Sequence, residues 1–531
     1  MIRSQVSGIA REQTRDAWIL VATILGSSMA FIDSTVVNVA LPAIQSSFHA
    51  TVVDVQWVVE SYGLLLGALI LVGGSLGDLF GRRRIFLVGV AIFAAASAGC
   101  GVATSIHHLI IERTIQGVGA ALLVPGSLAI ISTSFDEKSR GQAIGTWSGF
   151  TAITTAVGPV LGGWLVQHAS WRWAFFINLP LAAAVIAISL WRIPESRRAI
   201  TGRLDWLGAF FATLGLGGLV NGFIESVNLS WKHPLVVGSL MVGFGCLIGF
   251  VFVEARVTSP MAPLVLFKSR SFSGANLLTL FLYAAIGIFF FLFPLNLIQV
   301  QGYSSTTTGA AVLPLILLMF FLSRWSGGLV ARYGARGPLI IGPLMAALGF
   351  VLFAVPSVGD SYWETFFPAV VVLGLGMAVT VAPLTTVVMS SVDQDRVGTA
   401  SGINNAVARV AGVLAIAVLG IVMVNAFSSH LDYSLAHLSL QPGILAEVKA
   451  DEIKLAGMQA PVGLNPDMKA AMKASIGEAF VFGFRIVMLI CAALSVASAA
   501  VAWFMIPQDG DRPRLPTAAP DRKESSIRSS R

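Results

Sequence analysis

Long apolar stretches separated by short polar ones run through the chain, and the apolar stretches set its elements. About fourteen of them reach the roughly 20 residues that an α-helix needs to cross the hydrocarbon core of a bilayer. They fall near residues 17–41, 56–78, 85–103, 109–133, 141–166, 173–191, 204–224, 234–253, 271–298, 308–330, 337–355, 366–388, 397–427 and 479–506. Each is continuous rather than alternating, which predicts helices and excludes the strands of a membrane barrel. The first run, from Trp18, is of full span length and leads into further spans, so it reads as a transmembrane helix and not as a cleavable leader.

Composition agrees. Of 531 residues, 56% are apolar and 11% charged, whereas soluble domains carry about 25% Asp, Glu, Lys and Arg. A soluble fold, a disordered chain and a secreted disulfide scaffold are excluded. Cys100, Cys246 and Cys491 all lie in apolar runs and share no metal or redox spacing.

The net charge of +7 is mostly an orientation signal. Basic residues collect in the termini and in alternate loops: Arg82–Arg84, Lys138 with Arg140, the segment 192–203, Arg256 to Arg270, Arg332 with Arg336, and Arg396. The opposite short loops hold only Arg172 and Lys232. The longer 428–478 loop adds lysines, but long loops weigh little in this bias. Both termini are therefore expected in the cytoplasm, and nucleic-acid binding is the weak reading.

The chain also repeats itself. Gly74-Ser75-Leu76-Gly77-Asp78-Leu79-Phe80-Gly81-Arg82 has a worn copy at Gly327-Gly328-Leu329-Val330-Ala331-Arg332-Tyr333-Gly334. Gly117 and Gly119 with Pro125 are echoed by Gly374 and Gly376 with Pro383, and Arg140 before Gly145 by Arg396 before Gly402. Spans 1–6 thus match spans 9–14, with spans 7 and 8 inserted between the halves, a plan on which many secondary transporters are built. The expected organisation is an N-terminal segment 1–16, a six-helix bundle 17–191, two inserted helices with linkers in 192–270, a second bundle 271–506 including the outer loop 428–478, and a disordered cytoplasmic tail 507–531. The tail is rich in Arg, Pro and Ser.

Several motifs carry a family resemblance. The Gly74–Arg84 stretch resembles the signature between spans 2 and 3 of the major facilitator superfamily, and Arg113-Thr114-Ile115-Gln116-Gly117-Val118-Gly119 its span-4 signature. Gly158-Pro159-Val160-Leu161-Gly162-Gly163 is similar to the span-5 signature of antiporters, although Thr154 stands where that pattern often has its first glycine. Asp33-Ser34-Thr35-Val36-Val37-Asn38 through Pro42, Trp171-Arg172-Trp173 through Pro180, and Leu204-Asp205-Trp206-Leu207-Gly208 resemble the fourteen-span drug:proton antiporter branch. The resemblance covers nearly the whole chain. It implies a major facilitator fold, proton-coupled export of hydrophobic or amphipathic compounds, and a gating motif in Gly74, Asp78, Gly81, Arg82 and Arg83. It also implies an antiporter motif in Gly158, Pro159, Gly162 and Gly163, and a proton-relay role for Arg113.

The residues have their own physics beside it. Gly81 permits a sharp turn, and Asp78 at a span end can cap a helix N-terminus or pair with an arginine. Asp33 lies midway along the first span, where an ionised carboxylate needs an aqueous cavity, a partner or a proton; a structural hydrogen-bonded role on a small-residue face with Gly26, Ala30, Val37 and Ala40 competes. Arg113 needs a carboxylate or hydrated cavity, with Asp33 or Glu112 as its partner. Glu60, one turn inside span 2, reads as a snorkelling residue. Gly158, Gly162 and Gly163 allow close packing, and Pro159 kinks their helix.

Span 13 presents Gly398, Gly402, Asn405, Arg409 and Gly412 on one stripe. Asn38, Gln116, Asn405 and Arg409 are accordingly the candidate substrate-cavity residues. Arg324 and Arg409 are the only charged residues of spans 10 and 13, and Arg485 adds a cation in span 14, which leaves anionic, neutral and zwitterionic substrates open. The phenylalanines of span 9, Phe289, Phe291 and Phe293 among them, read as packing groups before cavity lining.

The leading class is a secondary active exporter with Asp33 as proton site and Arg113 tuning it; its partners are protons, a small-molecule substrate and the lipid bilayer of a bacterial plasma membrane. In a Gram-negative host a periplasmic adaptor and outer-membrane channel would join them. A proton-coupled importer or exporter of one specific metabolite is the rival, and a non-transporting sensor of transporter fold the third class. An enzyme or ATP-driven pump is not expected: no lysine follows a glycine, so there is no phosphate-binding loop. No cofactor or metal is expected; His107 and His108 are adjacent rather than spaced as ligands.

Overall fold

The computed structural model describes residues 2–135, 137–196, 205–393, 396–436, 442–458 and 464–508. The basic segment 197–204 and the tail from 509 lie outside these residues, as do the side chains of Lys138, Arg140 and Arg324. Fourteen long helices follow one another: α1 Ile2–Phe48, α2 Val52–Phe80, α3 Arg82–Gly101, α4 Ile106–Ser134, α5 Glu137–His168, α6 Trp173–Arg192, α7 Trp206–Leu229, α8 Pro234–Glu254, α9 Arg270–Leu295, α10 Leu313–Tyr333, α11 Arg336–Phe353, α12 Phe367–Ser390, α13 Val397–Leu435 and α14 Pro466–Met505. Among the described residues thirteen spans are long and apolar enough to cross a membrane, and α5, of 32 residues, completes the set. No strand occurs among the described residues.

The helices overrun the apolar runs because polar ends outside the hydrocarbon still close backbone hydrogen bonds. Thr51 and Asp54 form a reciprocal capping box at the start of α2. Overrun also shrinks the 428–478 loop. α13 reaches Leu435 and α14 starts at Pro466, leaving a short helix Pro442–Asp451 and a tight turn Glu452–Gly457.

Packing follows the repeat. In the first bundle α4 lies against α2 and α3, and α1 against α5 and α6; in the second, α12 lies against α10 and α11, and α9 against α13 and α14. The equivalence reaches single atoms. A Cβ on Gly119 would stand 2.6 Å from the Phe93 nitrogen, and one on Gly376 2.5 Å from the Ala346 nitrogen. Gly81 at φ +111° and Gly334 at φ +74° end α2 and α10 in backbone that favours glycine. α7 and α8 pack on each other as an inserted pair, with α7 also against α2 and α13.

The bundles meet along two seams, α2 with α13 and α5 with α10 and the short helix Ser305–Ala311 that precedes it. Contact is tight at the ends away from the arginine loops. There Gly163 packs on the Ser305 carbonyl, Gly309 on that of Pro159, and Gly420 on the Gln56 side chain. The turn Glu452–Gly457 closes this end: Gln45 of α1, 4% exposed, donates to the Lys454 carbonyl at 3.0 Å and accepts from Gln299 at 2.8 Å. At the basic ends, a Cβ on Gly145, Gly327, Gly328 or Gly398 would meet nothing within 4 Å. The bundles are therefore pressed backbone to backbone at one end, while at the basic end these four glycines face open space.

This seal gives a direct expectation. Gly163→Leu or Gly309→Leu must part the seam, because the new side chain points into opposing backbone. A cysteine placed at Thr306 should then react about tenfold faster with a membrane-impermeant maleimide; an unchanged rate would mean that the seal lies elsewhere.

Candidate functional site

A buried polar network occupies the interior of the first bundle. Asp33 on α1 and Arg113 on α4 are 0% and 1% exposed, and their Oδ2 and Nη1 atoms lie 2.5 Å apart. The same Nη1 donates to Gln116 Oε1 at 2.6 Å, and Nε donates to the Val58 carbonyl of α2 at 3.0 Å. Gln116 Nε2 donates to Asp33 Oδ1 and to Ser97 Oγ of α3, each at 2.8 Å. Asn178 of α6 donates to the same two acceptors at 3.3 Å. The Arg113 guanidinium also lies 4.3 Å from the Tyr62 ring centroid. Two opposite charges removed from water are tolerated because nearly every lone pair and proton is spoken for.

Asp33, Arg113 and Gln116 thus come together, with Asp33 rather than Glu112 as the partner of Arg113. Glu112 instead lies 3.6 Å from His108. Gln116 needs correcting as a cavity candidate: it is 0% exposed and belongs to the ionic network inside the bundle. Asn38, half-buried, stands about 140° around α1 from Asp33 and outside that network. Asn405 is exposed and its amide returns to the Ser401 carbonyl of its own helix. Its neighbour Asn404, which sequence reasoning missed, joins α13 to α9 through Asn276 and Thr279. Arg409 lies between the bundles, its Cβ 3.3 Å from a Cβ on Gly67 of α2 and its guanidinium 5.8 Å from the Phe31 ring of α1.

Glu60 overturns the snorkelling expectation. It is 0% exposed, and among the described residues neither carboxyl oxygen has a hydrogen-bond partner. It shares a face of α2 with Gln56, Gly63 and Gly67, all of which meet α13. An acid thus stands on the seam between bundles with no donor to satisfy it.

The gating motif holds to its own bundle. Arg82 Nε donates to Asp78 Oδ1 at 2.8 Å. Gly74 packs near Pro125 of α4. The cap on α3 comes from Glu195, at the end of α6: its oxygens accept from the Arg83 and Arg84 amides at 3.1 and 3.2 Å, and Arg83 Nη1 donates to the Ile193 carbonyl. Gly81 faces this carboxylate, where a Cβ would come within 2.6 Å. No local sequence signal marks Glu195, since its partners are more than a hundred residues away.

The antiporter motif divides its work. Gly158 packs on Thr35 and Gly162 on Val36, both of α1, whereas Gly163 and the buried Pro159 carry the seal to the second bundle. Arg485 gains a partner. Its guanidinium donates to the Val355 and Pro356 carbonyls and to the Ser357 hydroxyl just past the end of α11, so this cation of the α14 span serves as a helix-end clasp. Phe289 and Phe293 stack with centroids 4.9 Å apart and meet Phe353 and Phe366 at tilted angles in the core of the second bundle. Among the described residues no group of metal ligands occurs, and the three cysteines are free.

Two pseudo-equivalent six-helix bundles around a cleft closed at one end define a secondary transporter. The chain belongs to the Major Facilitator Superfamily, whose sequence profile it matches over residues 23–416. It is 34% identical over 519 residues to the multidrug resistance protein Stp of Mycobacterium tuberculosis, covering 94% of this chain and 95% of that one. To the tetracenomycin C resistance and export protein of Streptomyces glaucescens it is 32% identical over 511 residues, covering 94% and 93%. In fold it resembles a bacterial homologue of the human lysosomal transporter Spinster, solved inward-facing and unoccupied, with TM-score 0.63 at 17% identity over 92% of this chain and 98% of that one.

Removing Arg113 would leave Asp33 buried and unpaired. Arg113→Ala is expected to cost about 3–5 kcal/mol, while Asp33→Asn, whose amide oxygen can still accept from Arg113, should cost less. Thermal unfolding of the detergent-solubilised protein checks the order; equal losses would argue against the ion pair as the anchor.

Proposed function

We propose that the protein is a proton-coupled exporter of hydrophobic or amphipathic small molecules, working by alternating access in a bacterial plasma membrane. The basic ends and both termini lie in the cytoplasm in this reading, because arginines gather on that side. The sealed end then faces outward and the open cleft inward. Similarity along almost the whole chain to resistance and export proteins supports the direction.

The observation that carries proton coupling is the contrast between two intramembrane acids. Asp33 is saturated with donors, whereas Glu60 has none and lies where the bundles must move past each other. Asp33 would take its proton only as Arg113 lets go, and Glu60 would exchange one as α2 and α13 shift. Arg409, Asn38 and Asn405 are the proposed substrate-facing polar groups, and Asp78 with Arg82 and Arg83 the latch at the cytoplasmic end. In a Gram-negative host, a periplasmic adaptor and an outer-membrane channel would receive the solute.

The test is efflux from proteoliposomes driven by an imposed pH gradient. Asp33→Asn should abolish gradient-driven movement while leaving the protein folded, and Glu60→Gln should reduce it or shift its pH profile. Full gradient-driven efflux in both variants would sink the coupling assignment. A wild-type protein that moves no solute across a broad panel would favour the sensor reading.

A further inference from the structure

The internal repeat makes the two seams between the bundles equivalent, and the inserted pair breaks that equivalence. α7 packs against both α2 and α13, covering their seam. The α5–α10 seam carries instead an apolar groove of about 570 Å³. Ile153, Val157 and Trp164 of α5 and Leu317 and Phe321 of α10 line it, and all five are exposed on membrane-spanning helices.

Three features distinguish the groove from ordinary lipid-facing surface. It lies in the half of the seam toward the sealed end, since Ile153–Trp164 is the later half of α5 and Leu313 begins α10. Beside it the bundles touch through backbone, Gly163 on Ser305 and Gly309 on Pro159, with no interlocked side chains at those points. Thr306 also lines it, and the Thr306 hydroxyl is buried without a hydrogen-bond partner among the described residues. An apolar trough with one unsatisfied hydroxyl suits an amphipathic molecule better than a hydrocarbon chain alone.

We propose that the α5–α10 groove is a lateral exit site, taking the apolar body of an amphipathic export substrate while Thr306 donates to its polar group. Rocking that parts the sealed end separates the two glycine contacts and joins the groove to the central cleft. The covered α2–α13 seam leaves solute one sideways route, into the membrane half beyond the seal. The direction of travel rests on the export reading; the site itself does not.

Nile red, a neutral lipophilic dye with a carbonyl acceptor, is the probe. Full-length protein in proteoliposomes is photolabelled with a diazirine-bearing long-chain alcohol, with and without excess Nile red, and the labelled peptides are mapped. Energised efflux of preloaded Nile red is followed in an efflux-deficient bacterium. Label should fall on Ile153–Trp164 and Leu313–Phe321, be displaced by Nile red, and vanish in Val157→Trp. Efflux should drop about tenfold in Val157→Trp and in Leu317→Trp, which fill the trough. Ile248→Trp, on exposed surface of α8, should leave it unchanged. Thr306→Val should weaken displacement by Nile red without abolishing labelling. Label spread evenly over lipid-facing helices, label that Nile red does not displace, or wild-type efflux in both groove variants would each overturn the exit site. If the wild type fails to export Nile red, the export reading fails for this solute while the photolabelling still decides the site.

Discussion

The ion pair between Asp33 and Arg113 is the interaction on which the first bundle depends. Isolated, either charge would be costly in a hydrocarbon interior, so the surrounding helices must bring donors and acceptors to it. They do: α2 supplies a carbonyl, α3 a hydroxyl, α4 an amide and α6 a second amide. Five helices are fixed relative to one another by the need to satisfy one pair. The second bundle has no such demand at the equivalent place. Aligning Gly117 with Gly374 puts Val370 and Leu373, both fully buried, where Arg113 and Gln116 stand in the first. Its core is held by stacked phenylalanines instead. One fold therefore has two kinds of interior, a directional polar one and a non-directional aromatic one.

That asymmetry suits a machine that rocks. Directional bonds keep the first bundle rigid while the bundles move as bodies. Contacts between them are of another kind: glycine against backbone at one end, beside side-chain bonds from Gln45 and Gln56, and open space around four glycines at the other. The chain places its specificity inside the bundles and its smoothest surfaces between them.

Much of this was legible in the sequence. Span length and charge bias identify the helices and their order, and the echo of Gly117, Gly119 and Pro125 in the second half predicts matched helix crossings that the structure contains. Asp33 and Arg113 stood out because charges are scarce in spans. What periodicity cannot supply is the neighbour across a gap. It gives the face a residue occupies, and so left Arg113 with two partners to choose from and Gln116 among cavity residues. Glu60 looked like a snorkelling group because helix position was visible and the covering helix α13 was not. Arg485 and Glu195 act on helix ends distant in sequence, which only the folded chain brings near.

The glycine seal between Ser305 and Gly163 has a thermodynamic corollary. Where closure rests on main-chain atoms, parting those atoms uncovers less hydrocarbon than parting interlocked side chains would, and hydrocarbon hydration is what gives conformational equilibria their large heat-capacity change. These glycine contacts would therefore add little to the temperature dependence of the opening enthalpy at that seam. To that extent the balance between its two states would vary smoothly with temperature, without the curvature that governs unfolding of either bundle.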